Sequence, residues 1–255
     1  MFDGPVMVSG RQTFDLEPTH YIHEAIMQYL KQDAPRVYPG IMKDISRPWD
    51  AVLHLGKRIS LKKGALFSLD ESDRLKMVYV RNGKISISYF GHNGESHINL
   101  FYEGGSFFNE SVAISGACHQ IQTGCCIKES ECYLFETSLL NDDDFKNKYY
   151  YLINNLLLSA SIKVVNFHAL LNVICTKKTL SLIAWYILTM CEAHENKSVF
   201  VPDITQREIA MLLGVDMSSM TRSIHTLKKE KVIETFTKKK LIITDIDRLK
   251  TIAGP

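Results

Sequence analysis

Residues 203–227, near the C-terminus, are laid out as two short helices joined by a tight turn at Gly214. The apolar residues of the segment recur at helical spacing and give each helix an inner face: Ile209, Leu212, Leu213, Val215, Met220, Ile224 and Leu227. The outer face of the second helix carries Met217, Ser218, Thr221, Arg222 and His225. A short polar helix with an arginine fits the major groove of DNA, so the segment predicts a helix-turn-helix that reads DNA.

The charge distribution favours the same interpretation. The formal net charge of the chain is only +2, which is too small to indicate nucleic acid by itself. Between Arg222 and Lys240, however, seven lysines or arginines stand against two glutamates. Two β-rich runs, 232–236 and 241–244, are joined there by Thr237-Lys-Lys-Lys240, and a lysine-tipped hairpin after a reading helix is typical of a wing.

Length and composition are those of a globular protein with room for two domains. No run of about 18 apolar residues is present that could cross a bilayer, and no basic segment followed by an apolar stretch opens the chain, so we expect a cytoplasmic protein without a membrane partner. In such a chain the cysteines are expected to be reduced thiols, mostly in the core. They are Cys118, Cys125, Cys126, Cys132, Cys175 and Cys191.

Residues 51–135 form a series of short β-rich runs separated by glycine turns, which predicts a closed antiparallel roll or barrel. The clearest runs are 75–80, 84–89 and 97–102, with turns at Asn82-Gly83, Asn93-Gly94 and Gly104-Gly105. Residues 1–50 are irregular, with one helix expected from Thr19 to Gln32.

Residues 144–175 contain no proline or glycine and carry an uninterrupted heptad seam of apolar residues. The seam consists of Tyr150, Ile153, Leu157, Ala160, Val164, Phe167, Leu171 and Ile174. Such a seam predicts a coiled-coil helix between two subunits, and the alternative is a long helix packed inside one chain. Further apolar residues give the helix a second contact face toward the roll: Tyr149, Leu152, Leu156 and Val165.

Together these patterns predict an α+β fold with an antiparallel β-roll of the jelly-roll type, a long dimerisation helix and a C-terminal winged helix-turn-helix domain. We place an N-terminal extension at 1–47, the roll at 48–143, the long helix at 144–175 and the DNA-binding domain at 176–255.

In this order the pieces resemble the Crp/Fnr family of bacterial transcription regulators, over roughly residues 48–250. The most specific segments are 204–222, 79–87 and 104–110. The resemblance implies a homodimer that is not an enzyme and that binds palindromic DNA with half-sites roughly 34 Å apart. It further implies an activator that contacts RNA polymerase.

The resemblance places Arg222 where the family has an arginine that reads guanine, because a guanidinium can bond O6 and N7 together. Ser218 stands where members commonly have a glutamate and Met217 where some have an arginine, so we expect a different half-site. Thr221 completes the expected base-reading set. Contacts to the DNA backbone are expected from Thr205, Gln206, Ser219, His225, Lys238 and Lys239.

Two known kinds of effector are excluded at the sequence level. Glu110 matches the ribose-binding glutamate of cyclic-nucleotide-binding members, but Asn109 replaces the preceding glycine. In those members an arginine and a serine hold the cyclic phosphate, and their positions in this chain are occupied by Gln120 and Ile121. The phosphate of cyclic AMP would therefore lack a group that neutralises its charge. An iron–sulfur cluster needs several nearby thiolates, and no cysteine precedes Cys118.

Three further chemistries stay open as alternatives. Thiol redox control would use the cysteines at 118, 125, 126 and 132, although adjacent strand residues point to opposite faces. Haem would use His119 or His168. A metal-dependent cupin-like enzyme would use His92, Glu95 and His97, although their spacing is more typical of a solvated hairpin, so we predict no metal site and no enzyme.

What remains is a largely apolar pocket between the roll and the long helix, with an unknown small effector and no cofactor expected. Some members of the family bind aromatic or organohalide effectors there. The expected lining is Tyr102, Phe107, Phe108, Glu110, Ile121, Thr123, Asn154, Asn155 and Ser159. A degenerate sensor, with DNA binding independent of any effector, is the remaining alternative.

Overall fold

The structure is a computed structural model that describes residues 39–67, 75–90, 96–116, 122–202 and 204–254. All of them belong to one compact unit that spans Arg36–Pro255. The helix expected at Thr19–Gln32 lies outside the described residues.

The first half of the described chain is a seven-stranded sheet rolled around two apolar clusters. Its strands are β1 (Ile41–Met42), β2 (Lys57–Leu61), β3 (Leu66–Phe67), β4 (Lys76–Phe90), β5 (Ser96–Glu103), β6 (Ser106–Phe108) and β7 (Gln122–Glu136). The strand order is β1-β5-β4-β7-β2, with β3 on β7 and β6 on β4. All pairs are antiparallel except β1 with β5. A 3-10 helix, Arg47–Leu55, and a short helix, α1 (Glu110–Ser115), complete this roll.

Two of the expected turns have different outcomes. Gly104-Gly105 does form the turn between β5 and β6. The prediction of a turn at Asn82-Gly83 was wrong, because β4 continues through these residues as one strand of 15 residues. The register against β7 shifts on both sides of Asn82, so the glycine marks a bulge. Gly83 has φ +101°, and a Cβ there would overlap Ser130. Asn93-Gly94 lies outside the described residues.

The long helix α2 (Asp143–Thr176) begins at Asp142, whose side chain accepts a hydrogen bond of 2.7 Å from the Phe145 amide. Of the apolar face predicted to meet the roll, Leu152 and Leu156 are buried and Tyr149 packs against the same core, but Val165 is 67% exposed. A polar stripe, spaced four, four and three residues apart, is buried beside them: Asn155, Ser159, Lys163 and Asn166. The opposite face is apolar and exposed, with Tyr150 at 66%, Leu157 at 68%, Val164 at 53% and Leu171 at 61%. A water-soluble helix normally exposes a polar face, so this apolar face needs a cover.

By length and composition, α2 is also apolar enough to cross a membrane, with a mean hydropathy of 1.5 over its most apolar 18 residues. The sequence-level expectation counted only unbroken apolar runs and missed this property, because asparagine, lysine and histidine interrupt the run. The buried stripe on the roll accounts for those polar residues: Asn155 donates to the Ile45 carbonyl at 2.8 Å, and Asn166 contacts the Met42 sulfur at 3.6 Å.

The C-terminal part consists of α3 (Thr179–Ala193), β8 (Val199–Phe200), α4 (Gln206–Leu213), α5 (Met217–Lys229), β9 (Ile233–Phe236), β10 (Leu241–Ile243) and α6 (Ile246–Ala253). The strands form an antiparallel sheet in the order β8-β10-β9. The helices close over one apolar core that includes Ile187, Ile209, Met220, Leu227 and Leu249. This confirms the predicted winged helix-turn-helix at the end of an α+β chain.

Candidate DNA-reading surface and effector cavity

Local capping fixes the two helices of the helix-turn-helix. Thr205 and Glu208 form a capping box on α4, in which the hydroxyl accepts from the Glu208 amide at 3.2 Å and the carboxylate accepts from the Thr205 amide at 2.7 Å. Gly214 ends α4 in the left-handed region, with φ +63°. Asp216 then caps α5 by accepting from the Ser219 amide at 2.9 Å. The sequence therefore determines this turn locally.

The recognition helix α5 has one buried side and one exposed side. Met220, Ile224 and Leu227 are buried in the domain core. The five residues predicted for the outer face are all exposed: Met217, Ser218, Thr221, Arg222 and His225. Ser219, predicted to contact the backbone, is half-buried at the edge of this face. A polar face of this size is available to a DNA groove.

Several residues of this face bond to their own helix. Arg222 donates to the Ser219 hydroxyl at 2.9 Å, and Thr221 donates to the Met217 carbonyl at 2.8 Å. Ser218 donates to the Asp216 carboxylate at 2.5 Å. The bonds from Ser218 and Ser219 lower the pKa of Asp216 well below its ordinary value, so the cap stays anionic. Contact with a base would require Arg222 and Ser218 to exchange these partners.

The predicted backbone contacts fall at the rim of the same domain. Thr205 is half-buried at the start of α4, and Gln206 beside it donates to the Phe236 carbonyl of the wing at 2.7 Å. Lys238 and Lys239 are exposed at the turn between β9 and β10. The glutamine therefore has a structural partner that the sequence did not indicate, because that partner lies 30 residues away.

A cavity of about 410 Å³ lies between the roll and α2. From the predicted lining it contains Tyr102, Phe108 and Glu110. Four residues of the heptad seam also line it, namely Leu157, Ala160, Val164 and Phe167. The remaining lining residues are Ile87, Asn109, Ser111, Val112, Ser161 and Lys163. The cavity thus opens toward the exposed apolar face of the long helix.

The sequence reasoning missed the most unusual group of this cavity, Lys163. Its ammonium is buried, forms an ion pair with Glu110, donates to the Phe107 carbonyl at 2.7 Å and lies 5.2 Å from the centroid of the Tyr102 ring. Burial lowers the pKa of Lys163, and the charge of Glu110 opposes that effect. The sequence did contain a signal for it, because Lys163 recurs at helical spacing with other polar residues on the side of α2 away from the seam.

Asn109 stands where the family pattern has a glycine, and its backbone conformation shows why the replacement is tolerated. It precedes α1 with φ +64°, in the left-handed region that glycine adopts freely and asparagine tolerates better than other residues. Its side chain also donates to the Lys76 carbonyl at 2.9 Å. The replacement of glycine by asparagine therefore leaves the backbone that presents Glu110 intact.

Other residues predicted for the cavity lie elsewhere. Phe107 packs against Trp49, with ring centroids 4.8 Å apart, because its strand position points to the other core. Thr123 lines a groove on the opposite side of the roll. Asn155 and Ser159 are buried in the stripe but outside the cavity lining, and Asn154 is exposed. Ile121 lies outside the described residues.

The residues of the predicted heptad seam differ in how far they are exposed to solvent. Tyr150, Leu157, Val164, Leu171 and Ile174 are exposed, whereas Ile153, Ala160 and Phe167 are half-buried. The second of these groups lies nearer the roll, and Ile153 and Phe167 pack against its cores. The seam therefore lies on the surface of the chain along its exposed residues, while Ile153 and Phe167 also contact the interior.

The groups named for other chemistries are poorly placed where the structure describes them. Burial raises the pKa of Cys132 to about 12 and also raises that of Cys125, which disfavours the reactive thiolate. His168 is exposed on α2. Within the described ranges no three His, Cys, Asp or Glu residues come together as metal ligands. Cys118, His119, His92 and Glu95 lie outside them, as does the side chain of His97.

Comparison with known proteins agrees with this architecture. Residues 183–252 match the Crp-like helix-turn-helix domain. A search of curated proteins gives no match. A structure of a CprK variant complexed with OCPA is 14% identical, covers 84% of this chain and 96% of that one, and superposes with a TM-score of 0.72.

Two other solved structures have the same fold. A CooA mutant from Carboxydothermus hydrogenoformans is 12% identical, with 83% of this chain and 96% of that one covered and a TM-score of 0.68. FixK2 from Bradyrhizobium japonicum is 13% identical, with 78% and 98% covered and a TM-score of 0.61. At these identities the likeness concerns the fold.

The fold and the exposed face of α5 define a winged helix-turn-helix protein with an N-terminal β-roll domain. The chain carries the Crp-like helix-turn-helix domain and has the fold of the Crp/Fnr transcription regulators. This confirms the resemblance that the sequence motifs indicated.

Proposed function

We propose that the protein is a homodimeric transcription regulator, an activator, that binds palindromic DNA in response to a small-molecule effector other than cyclic AMP. The observation that carries this proposal is the exposed polar face of α5, held on an apolar core by two capped helices. Such a face is not needed to cover the apolar core, and its residue types suit base edges. We propose the cytoplasm as its location and RNA polymerase as a further partner.

The DNA-binding step is tested by selecting duplexes from a random pool with the purified protein and measuring affinity by fluorescence anisotropy. We expect a two-fold symmetric consensus with half-sites roughly 34 Å apart and a steep loss of affinity with added salt. A protein that enriches no sequence, or whose binding is insensitive to salt, would contradict the proposal.

The exposed apolar face of α2 supports the dimer. A second copy of the chain placed on the same face would cover Tyr150, Leu157, Val164 and Leu171. Leu171→Glu is the sharpest test, because Leu171 does not line the cavity. We expect it to give a monomer at micromolar concentration by sedimentation analysis, whereas Asn172→Glu, at the neighbouring exposed position, stays dimeric. A monomeric wild-type protein would remove this part of the proposal.

The cavity supports an effector of modest size and largely apolar character. Leu157 and Val164 belong both to its lining and to the exposed seam, so a bound molecule would touch the surface that the partner helix covers. The CprK structure that shares this fold carries the ligand OCPA. We propose the cavity between the roll and α2 as the location of the effector of this chain.

A panel of small aromatic acids and phenols, scored by thermal unfolding, tests the effector. A ligand selective for the folded state raises stability by about 2.7 kcal/mol at a hundredfold excess over its Kd. Ala160→Trp, which fills the cavity, should abolish the shift. If no ligand stabilises the protein while the selected duplex still binds, the effector-independent alternative is favoured.

The cupin-like enzyme and the thiol or haem sensors are separated from this proposal by two measurements. Metal and haem analysis of the purified protein, with DNA binding measured on the same sample, tests the cupin-like enzyme and the haem sensor. DNA affinity compared with and without reductant tests thiol control, for which the raised pKa values of Cys125 and Cys132 predict no difference.

A further inference from the structure

Lys84 lies almost fully buried between the roll and the helix-turn-helix, with its side chain 2% exposed. It follows the bulge that Gly83 makes in β4, and bulges redirect the side chains beside them. Its Nζ is 3.4 Å from Glu103 Oε1 of β5 and 3.4 Å from Glu208 Oε1 of α4. The same ammonium is 4.7 Å from the centroid of the Phe101 ring. One buried cation thus joins carboxylates from two regions of the chain.

Glu208 has two tasks in this arrangement. Its Oε2 accepts from the Thr205 amide and completes the capping box of α4, while its Oε1 contacts Lys84. Burial by itself would raise the pKa of Glu208, but the charge of Lys84 and the bonds from Thr205 bring it below its ordinary value. The first helix of the helix-turn-helix is therefore fastened to the roll through its own N-terminal cap.

The contact around this bridge is apolar. Ile41 and Phe101 of the roll belong to the same core as Ile209 and Leu212 of α4. Gly40, with φ +88°, lies under Leu212, and a Cβ at this glycine would overlap that side chain. A charge buried in such a contact is costly unless its partners stay in place. Lys84 consequently favours one orientation of α4, and of the recognition helix that follows it.

A groove of about 1150 Å³ runs beside this contact. Lys63 and Lys128 of the roll line one side, and Thr205 and Lys238 of the DNA-binding part line the other. Two of the residues expected to contact DNA phosphates therefore line a groove that they share with the roll.

Resting on the proposed function, we propose that Lys84 is a positioning residue: the Glu103–Lys84–Glu208 bridge holds the helix-turn-helix against the roll in the orientation described above, and it opens when DNA binds. Lys84→Met leaves two carboxylates facing each other across the contact, which disfavours the docked orientation. Glu208→Gln removes one charge but keeps the cap, because glutamine also serves in a capping box.

The test measures the affinity of the full chain for the duplex that the wild-type protein selects, without effector, together with unfolding by denaturant. We expect Lys84→Met to bind about 5-fold more tightly or better, the lower end of usual coupling between sites, and Glu208→Gln to change in the same direction by less. Lys43→Met is the control, since Lys43 contacts Glu103 only at 3.9 Å from an exposed position, and it should keep the wild-type affinity.

The direction of the change separates positioning from mere structural support, because a structural loss would lower stability and DNA affinity together. If Lys84→Met does not fold, Glu208→Gln carries the test alone. Unchanged or weaker DNA binding by the folded variants overturns the inference while wild-type binding upholds the proposed function. Failure of the wild-type protein to select any duplex removes the proposed function and the inference with it.

Discussion

The DNA-binding part and the interface between the roll and α2 distribute polar groups in opposite ways. In the helix-turn-helix, the core is apolar and the polar residues of α5 face outward. In the interface of α2 with the roll, Asn155, Lys163 and Asn166 are buried beside Leu152 and Leu156, while other apolar residues of the helix face outward. The first arrangement makes a stable scaffold for a reading surface. The second places costly polar groups inside, where their partners have to stay in place.

The two tryptophans allow this comparison to be tested region by region. Trp49 is fully buried in the core of the roll, and Trp185 packs against the C-terminal core. A Trp49→Phe background therefore reports unfolding of the DNA-binding part by fluorescence, and a Trp185→Phe background reports the roll.

The largest effect is expected from Lys163→Ala. It leaves Glu110 buried without its cation, and breaking such a pair costs about 3–5 kcal/mol of stability. Denaturant unfolding in the Trp185→Phe background measures it, and Lys148→Ala, at an exposed position of the same helix, is the control. The double change Lys163→Met with Glu110→Leu should recover much of the loss. A small effect of the single change would mean that the polar stripe contributes little.

A comparable but purely apolar loss is expected in the other region. Leu227 is fully buried under the recognition helix, so Leu227→Ala should cost about 2–5 kcal/mol by loss of burial and by the cavity left behind. Met217→Ala, on the exposed face of the same helix, should be nearly neutral. Similar costs at the two positions would show that the outward polar face takes part in folding.

A smaller effect, on binding alone, is expected from Arg222→Ala. Loss of a bidentate contact to guanine should cost about 1–3 kcal/mol of discrimination between the selected duplex and one with that base pair changed. Folding stability should stay within about 0.5 kcal/mol, because the side chain is exposed. Arg58→Ala, an exposed arginine of β2, is the control. Retained discrimination would place the reading face elsewhere.

The smallest effect concerns pH. The folded-state pKa of Asp216 is lowered by the bonds from Ser218 and Ser219, so its contribution is present above its unfolded value of about 3.9 and is lost as the pH falls below it. We expect the DNA-binding part to lose stability on acidification below that value. Asp216→Asn, which keeps a capping side chain, should reduce this dependence, and an unchanged profile would show that another group carries it.

The helix-turn-helix could be predicted because its signals are local. Gly214, the spacing of the apolar residues in α5 and the lysine-tipped hairpin all act over a few residues. The long helix was predictable for the same reason. The β-roll was predictable as a class, but the course of β4 was not, because the space beside Gly83 is set by Ser130 on another strand.

The lining of the cavity between the roll and α2 was predicted only in part. Tyr102, Phe108 and Glu110 line it, whereas Phe107 belongs to a different core and Lys163 was missed. Strand periodicity tells which residues share a face but not which face encloses a cavity. Lys163 and Glu110 are 53 residues apart, so no local pattern connects them.

The sequence by itself determined the order of the elements, the reading face around Arg222 and the apolar seam of α2, because capping, turns and helical periodicity depend on neighbouring residues. The tertiary structure alone decided that Lys163 meets Glu110 and that Lys84 meets Glu103 and Glu208. Buried charges tolerate few arrangements, and their partners are brought together only when distant strands and helices pack.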